Sequence, residues 1–177
     1  MESVNLGKFR GRKHVVLYFY PRDGTPGCTI QATEFSDHEG DFAKCDCVVL
    51  GVSPDDCLRH AEFRDANGIS IRLLADTERQ VCKQYGVLQA LPALAALPQG
   101  AGGGHAPSTG HTDGHGHGGQ GNGHAQNNGH GAADAPRRSV TRATFVIDKH
   151  GMVRHALYGV SPKGHAMQVL QLVKALQ

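Results

Sequence analysis

Near the N-terminus, residues 15–29 read VVLYFYPRDGTPGCT. The first six residues are aliphatic or aromatic and rich in β-branched side chains, which is typical of a buried strand. Two prolines and two glycines follow and predict a turn. Cys28 then stands where a helix would begin. A cysteine that opens a helix directly after a buried strand is the feature from which we interpret the rest of the chain.

Apolar runs and helix-like segments alternate on both sides of this stretch. Strands are predicted at 15–20, 48–52, 71–74, 144–147 and 152–158, with a hairpin turn at 148–151. Helices are predicted at about 28–43, 54–67, 76–85 and 164–176. We expect Ile30, Phe35 and Phe42 to face inward and Ser53 to cap the second helix. This order predicts an α/β sandwich, and the hairpin makes its sheet mixed.

The composition changes from about residue 99 to residue 136, where the chain is mostly Gly, His, Asn, Gln and Ala. Such a segment cannot bury enough apolar surface to offset its ordering entropy. We therefore predict one domain over residues 1–177, interrupted by a disordered Gly/His-rich insertion. Imidazoles such as those of His115 and His117 suit zinc, nickel or copper. A solvated loop without a metal is the other interpretation.

Charge and hydropathy exclude several classes of protein. The formal net charge is +2 and the basic and acidic residues are interleaved, which argues against a nucleic-acid patch or a membrane-surface role. No apolar run reaches the roughly 18–20 residues that a membrane helix needs. The first residues are polar and carry no secretory signal, so we expect a cytoplasmic protein. The five cysteines are then packing residues or redox groups, not a disulfide framework.

The position of Cys28 has a chemical use. At a helix N-terminus, backbone N–H groups without partners and the positive end of the helix dipole favour an anion. The thiolate, which is the nucleophilic form of cysteine, is therefore favoured here. The Thr25 hydroxyl can turn toward the sulfur or a bound peroxide, and Pro21 can keep water from the sulfur. For a lone cysteine a packing role would be the simpler interpretation, and the surrounding pattern overturns it.

These residues resemble the peroxiredoxins. The family pattern Pro-x-x-x-Thr-x-x-Cys is met by Pro21, Thr25 and Cys28. The longer run over residues 19–29 is similar to the peroxiredoxin Q subfamily, also called bacterioferritin comigratory protein. Further landmarks of that subfamily are LGVS at 50–53, LLAD at 73–76 and TFVID at 144–148. The resemblance covers nearly the whole chain outside the insertion.

The resemblance implies a thioredoxin-like fold, with a central mixed sheet flanked by helices. It implies a thiol peroxidase that reduces hydrogen peroxide and organic hydroperoxides through a sulfenic acid at Cys28, without a cofactor. Thioredoxin is the implied reductant, with glutaredoxin or glutathione as alternatives, and a monomer is the implied state. It also implies that Arg142 is the active-site arginine, whose guanidinium can stabilise the thiolate and the departing oxygen anion.

The chain departs from the subfamily at its resolving cysteine. Many members carry this residue five positions after the first cysteine, where this chain has Thr33. A one-cysteine mechanism completed by an external thiol and resolution by Cys57 are equally open, and Cys82 is a weaker candidate. Cys45 and Cys47 border a strand and are interpreted as packing residues.

The N-terminus departs from the subfamily as well. Relatives have a short hairpin before the segment that resembles residues 4–11, and this chain begins almost at that point, so we expect an edge element to be missing.

Two other functions are compatible with parts of this sequence. The first alternative is a metal-binding protein that uses the His-rich insertion on a thioredoxin-like platform. A thiol-disulfide exchange protein is the second, and it is disfavoured because the helix start has no Cys-x-x-Cys.

Overall fold

A mixed β-sheet forms the centre of the protein. The computed structural model describes residues 3–90 and 138–177. Its strands are β1 (His14–Phe19), β2 (Cys47–Ser53), β3 (Arg72–Ala75), β4 (Leu88–Ala90), β5 (Arg138–Val140), β6 (Ala143–Ile147) and β7 (Val153–Tyr158). Five of them form one sheet in the order β3-β2-β1-β6-β7, and β4 pairs with β5 separately. The β1–β2 and β2–β3 pairs are parallel, whereas β1–β6 and β6–β7 are antiparallel, so the predicted mixed sheet is confirmed.

The central strand is buried on both faces of the sheet. All six residues of β1 are buried. Because side chains alternate along a strand, Val16 and Tyr18 pack into one apolar cluster while Val15, Leu17 and Phe19 pack into another. The helices are α1 (Pro26–Asp37), α2 (Glu39–Lys44), α3 (Cys57–Asn67), α4 (Gln80–Gln84) and α5 (His165–Lys174), and a 3₁₀ turn spans Leu6–Phe9.

The direction of the strands determines which turns meet. Since β1 and β2 run parallel, their carboxyl ends lie at the same edge of the sheet. The turns that follow these two strands therefore lie side by side. The backbone N–H of Asp23, after β1, donates to the carboxylate of Asp55, after β2, at 2.7 Å. Cys28 follows the first of these turns.

The helix predicted over 28–43 is two helices. α1 ends at Asp37, and His38 separates it from α2. Phe35 and Phe42 are buried as predicted, but Ile30 is 42% exposed. The helical repeat of 3.6 residues explains the error, because Gln31 and Phe35 share the buried face and Ile30 is turned away from it.

The helix after β2 begins later than predicted. Ser53 still belongs to β2, and its hydroxyl donates to the Asp55 carboxylate at 2.8 Å. The cap is Asp56, whose side chain accepts from the N–H of Arg59 at 2.9 Å. Both side chains can cap a helix, so the sequence alone did not separate them.

Two other helices are shorter than predicted. α4 begins at Gln80 and not at Asp76, because the Asp76 carboxylate reaches forward and accepts from the N–H of Cys82 at 2.8 Å. α5 begins after Gly164, and its buried face includes Val169, Leu170 and Val173.

Some predictions fall outside the described residues. The Gly/His-rich insertion at 99–136, including His115 and His117, is one of them. The single-domain assignment and the missing hairpin stay predictions. Among the helices of the described ranges, none is long and apolar enough to cross a membrane.

Candidate active site

The first turn of α1 positions Cys28. Thr25 is the residue before the helix, and Pro26 occupies the first helical position, where its fixed φ and missing N–H are tolerated. Cys28 is then the third residue of the helix. The backbone N–H groups of this turn have no partner within the helix. An anion at the Cys28 sulfur is therefore stabilised by the start of the helix.

A guanidinium lies beside the sulfur. Nη2 of Arg142 is 3.4 Å from Sγ of Cys28, although 114 positions separate the two residues. Cys28 is only 1% exposed, and Arg142 is half-buried just before β6. The carbonyl of Arg142 accepts from the N–H of Val160 at 3.3 Å, which ties its backbone to the segment after β7. A fixed positive charge at this distance attracts negative charge on the sulfur.

Gln31 orients this guanidinium and was missed by the sequence analysis. Its side-chain oxygen accepts from Nη1 of Arg142 at 2.6 Å, and the residue is fully buried. Gln31 lies three positions after Cys28, so both side chains project from the same face of α1. A signal was available, because Gln31 is the one amide in the otherwise apolar buried stripe of that helix.

Thr25 and Pro21 lie in the turn that leads to Cys28, and both are half-buried. The Thr25 hydroxyl donates to the carbonyl of Arg22 at 3.2 Å. This distance is long for an O–H···O hydrogen bond. The hydroxyl can therefore exchange this bond for one to a substrate oxygen with little loss of free energy.

Tyr18 lies on β1 and belongs to the same apolar cluster as Cys28. Burial raises the pKa of its hydroxyl, and negative charge on Cys28 acts in the same direction. The Tyr18 hydroxyl is therefore protonated throughout the physiological range and cannot act as a base. Gly51 gives this ring room, since a Cβ at that position would lie 2.7 Å from the ring.

The other four cysteines differ in exposure. Cys57 is exposed at the first position of α3, whereas Cys45, Cys47 and Cys82 are buried. Burial raises the pKa of Cys82 to about 12, and a hydrogen bond with Asp76 adds to this. Burial likewise raises the pKa of Cys47 to about 12. Of the four, only Cys57 combines a solvent-accessible sulfur with a helix start.

Comparison with known proteins decides the family. The sequence profile of the AhpC/TSA family matches residues 1–156. This chain belongs to the AhpC/TSA family. A putative peroxiredoxin of Mycobacterium tuberculosis is 33% identical over 167 residues, covering 94% of this chain and 81% of the relative. A putative peroxiredoxin Bcp of Helicobacter pylori is 31% identical, covering 90% of this chain and 79% of the relative.

Solved structures agree on the fold of this peroxiredoxin. Peroxiredoxin Q of Xanthomonas campestris superposes with a TM-score of 0.70 at 24% identity, covering 97% of this chain and 84% of that chain. The predicted thioredoxin-like fold is thereby confirmed. The chain is a peroxiredoxin of the peroxiredoxin Q/Bcp group, and so a thiol-dependent peroxidase.

The metal-binding alternative finds no support in these relatives. Its histidines, His115 and His117, lie outside the described residues. In the ranges 3–90 and 138–177, no three His, Cys, Asp or Glu side chains are grouped so that they could hold a metal ion.

Proposed function

We propose that Cys28 is the peroxidatic cysteine of this peroxidase. Its thiolate attacks one oxygen of the hydroperoxide, so that an S–O bond forms as the O–O bond breaks. The sulfur is oxidised to a sulfenic acid, and the peroxide is reduced to an alcohol, or to water from hydrogen peroxide, once the leaving oxygen takes up a proton. The observation that carries this proposal is the 3.4 Å approach of Arg142 to a sulfur in the first turn of a helix.

The neighbouring groups have separate roles in this step. Arg142 stabilises the thiolate and then the negative charge that develops on the departing oxygen. The free N–H groups at the start of α1 hold the bound peroxide. Thr25 supplies a hydroxyl that can donate to or accept from the peroxide, and Pro21 limits the access of water. Gln31 keeps the guanidinium aimed at the sulfur.

The second half of the cycle needs a thiol. An external thiol, with thioredoxin first and glutaredoxin or glutathione as alternatives, reduces the sulfenic acid in our proposal. Cys57 is the internal candidate, because it is the exposed one of the five cysteines. Cys82 is disfavoured because its raised pKa leaves little of the attacking thiolate at neutral pH.

Mapping of the oxidised protein tests both halves. The reduced protein is treated with one equivalent of hydrogen peroxide in the presence of dimedone, which captures sulfenic acids, and peptides are analysed without reduction. We expect the dimedone adduct on Cys28. A Cys28–Cys57 disulfide formed without dimedone would assign resolution to Cys57, and its loss in Cys57→Ser is the control. An adduct elsewhere, with Cys28 still a free thiol, would contradict the proposal.

We also propose that the protein works as a monomer in the cytoplasm. Its five cysteines lie as free thiols in the structure, which suits a reducing compartment. The monomer rests on the resemblance to peroxiredoxin Q. Light scattering of the reduced protein at micromolar concentration tests it, and a mass of twice the chain would contradict it.

A further inference from the structure

Three buried polar side chains form a network beside the turn that carries Thr25. The hydroxyl of Tyr20 donates to Oδ1 of Asp23 at 2.6 Å, and Nδ1 of His60 lies 2.6 Å from Oδ2 of the same carboxylate. A carboxylate only accepts, so Nδ1 carries the hydrogen. The three residues are 1%, 5% and 4% exposed. None of the three has a role in the chemical step proposed for Cys28.

The network joins separate parts of the fold. Tyr20 follows β1, Asp23 lies in the turn before α1, and His60 lies on α3. The backbone of the turn is held as well, since the N–H of Asp23 donates to Asp55 at 2.7 Å. Asp55 is in turn bonded to the Ser53 hydroxyl at the end of β2. Side-chain and backbone bonds thus fix one short turn against β2 and α3.

Stability alone does not explain these residues. Burying a carboxylate and an imidazole costs desolvation energy, and a well-packed apolar set of the same volume often gives equal or greater stability. His60 also carries an uncompensated desolvation energy, because its buried Nε2 has no hydrogen-bond partner within residues 3–90 and 138–177. Directional hydrogen bonds define a geometry more strictly than apolar packing does. Here they define the geometry of the turn between Pro21 and Thr25.

That turn leads directly into the first turn of α1, which carries the sulfur. Cys28 is 1% exposed, so a bulky thiol cannot reach its sulfur unless neighbouring residues move. Each catalytic cycle therefore needs a closed form, in which Thr25 and the start of α1 surround the peroxide, and an open form, in which the sulfenic acid is reduced. The hydrogen bonds of the network hold the turn in the arrangement that this structure shows.

We propose that Asp23 and His60 are positioning residues of the peroxidase reaction, with Tyr20 as their third partner. They act through the turn and not on the sulfur itself. This inference rests on the proposed role of Cys28. It predicts that loosening the network slows oxidation by peroxide while it spares or speeds reduction of the sulfenic acid.

Two rate constants measured on each variant test this inference. The first is oxidation of Cys28 by hydrogen peroxide, followed by rapid quenching with an alkylating reagent and mass spectrometry. The second is reduction of the preformed sulfenic acid by dithiothreitol. Tyr20→Phe and His60→Ala should slow the first about ten-fold, as expected for loss of a hydrogen bond to a charged group, and leave the second unchanged or faster. His60→Asn, whose side-chain N–H can replace Nδ1–H, should recover most of the loss.

Phe63→Leu is the matched control. Phe63 lies one turn after His60 on α3 and is buried in the core, so the substitution weakens the packing of α3 without touching Asp23. Its two rate constants should keep the wild-type ratio. The inference is overturned if Tyr20→Phe and His60→Ala also keep that ratio, or if His60→Asn behaves like His60→Ala. Failure of wild-type Cys28 to be oxidised would instead overturn the proposed function.

Discussion

Gln31 accepts a 2.6 Å hydrogen bond from Nη1 of Arg142, and Nη2 of the same guanidinium lies 3.4 Å from the Cys28 sulfur. Because a guanidinium is planar and rigid, these two contacts restrict its orientation. The residue that aims the arginine and the residue that receives its charge are one helical turn apart on α1. The contact between the sulfur and the guanidinium is therefore set by one turn of α1 and one residue just before β6.

Replacement of Gln31 tests this orientation. Gln31→Leu keeps the volume but removes the acceptor, so the guanidinium loses a hydrogen bond worth roughly 1.5–3 kcal/mol. We expect oxidation of Cys28 by hydrogen peroxide to slow about ten-fold or more, since about 1.4 kcal/mol corresponds to a factor of ten. Gln31→Glu retains an acceptor but adds a negative charge beside the guanidinium and the sulfur, so it should not recover the full wild-type rate. Equal rates for Gln31→Leu and the wild type would show that Gln31 does not orient the arginine.

The rate of Cys28 oxidation should depend on both the charge and the shape of the side chain at residue 142. Arg142→Met removes the charge beside the sulfur and should lower the rate of Cys28 oxidation by about 10²–10³, the range seen for loss of one oxyanion-stabilising donor. Arg142→Lys keeps the charge but cannot bond Gln31 and the sulfur through one planar group, so it should recover only part of the rate. Stopped-flow measurement with hydrogen peroxide provides the comparison, and full activity in Arg142→Lys would show that charge alone suffices.

Gly27 provides a steric test of the same contact. A Cβ at Gly27 would lie 3.2 Å from Nη2 of Arg142 and 3.3 Å from Cγ of Pro162, closer than such contacts normally are. Gly27→Ala should therefore displace the guanidinium and slow Cys28 oxidation several-fold. Gly40→Ala is its control, because Gly40 also lies in a helix, and a Cβ there would meet no atom of another described side chain within 4 Å.

The control variant Gly40→Ala should also change the stability of the protein. Gly40→Ala should leave the oxidation rate unchanged and raise the free energy of unfolding by roughly 0.5–1 kcal/mol, because alanine loses less backbone entropy in a helix. Urea unfolding measures this change. If Gly27→Ala kept the wild-type oxidation rate, the position of the Arg142 guanidinium would not depend on the absence of a side chain at residue 27.

The sequence predicted the parts of the site that lie close together along the chain. The β1–turn–α1 order follows from local patterning, and Thr25, Cys28 and the helix start come with it. Arg142 is different, since it is 114 positions from Cys28 and only the resemblance to a known family pointed to it. No local pattern distinguishes it from a surface arginine.

Gln31 and His60 were missed for a related reason. Each is a polar residue on a buried helix face, and its role depends on a partner from another element. Helix boundaries failed where two nearby side chains could serve as the cap, as with Ser53 and Asp56. Ile30 was placed inward because it is apolar, although the helical repeat that buries Phe35 turns Ile30 outward.

His165 should make stability depend on pH. Burial lowers the pKa of His165 from its ordinary value of 6.5, and the charge of Arg142 adds to this. The unfolded chain then takes up a proton at a higher pH than the folded chain does. Stability contributed by neutral His165 is therefore full above about pH 6.5 and falls as the pH drops toward the lower folded pKa, by at most about 1.4 kcal/mol per pH unit.

Urea unfolding of the wild type and His165→Gln at about pH 7.5 and about pH 5.5, on either side of the ordinary histidine pKa, checks this. The difference between the two pH values should be smaller in the variant, whatever its absolute stability. Some difference should remain, because burial also lowers the pKa of His14. An undiminished difference in His165→Gln would contradict the assignment.

The most direct test of the role of Cys28 is a single-turnover reaction of the reduced protein with hydrogen peroxide in stopped flow, with mass analysis of the product. The wild type and Cys57→Ser are both predicted to consume peroxide rapidly, and Cys57→Ser is predicted to gain one oxygen on the peptide that contains Cys28. Cys28→Ser is predicted to lose this rapid phase. Rapid peroxide consumption by Cys28→Ser would contradict that role, because the guanidinium and the helix start would then not be acting on the sulfur of Cys28.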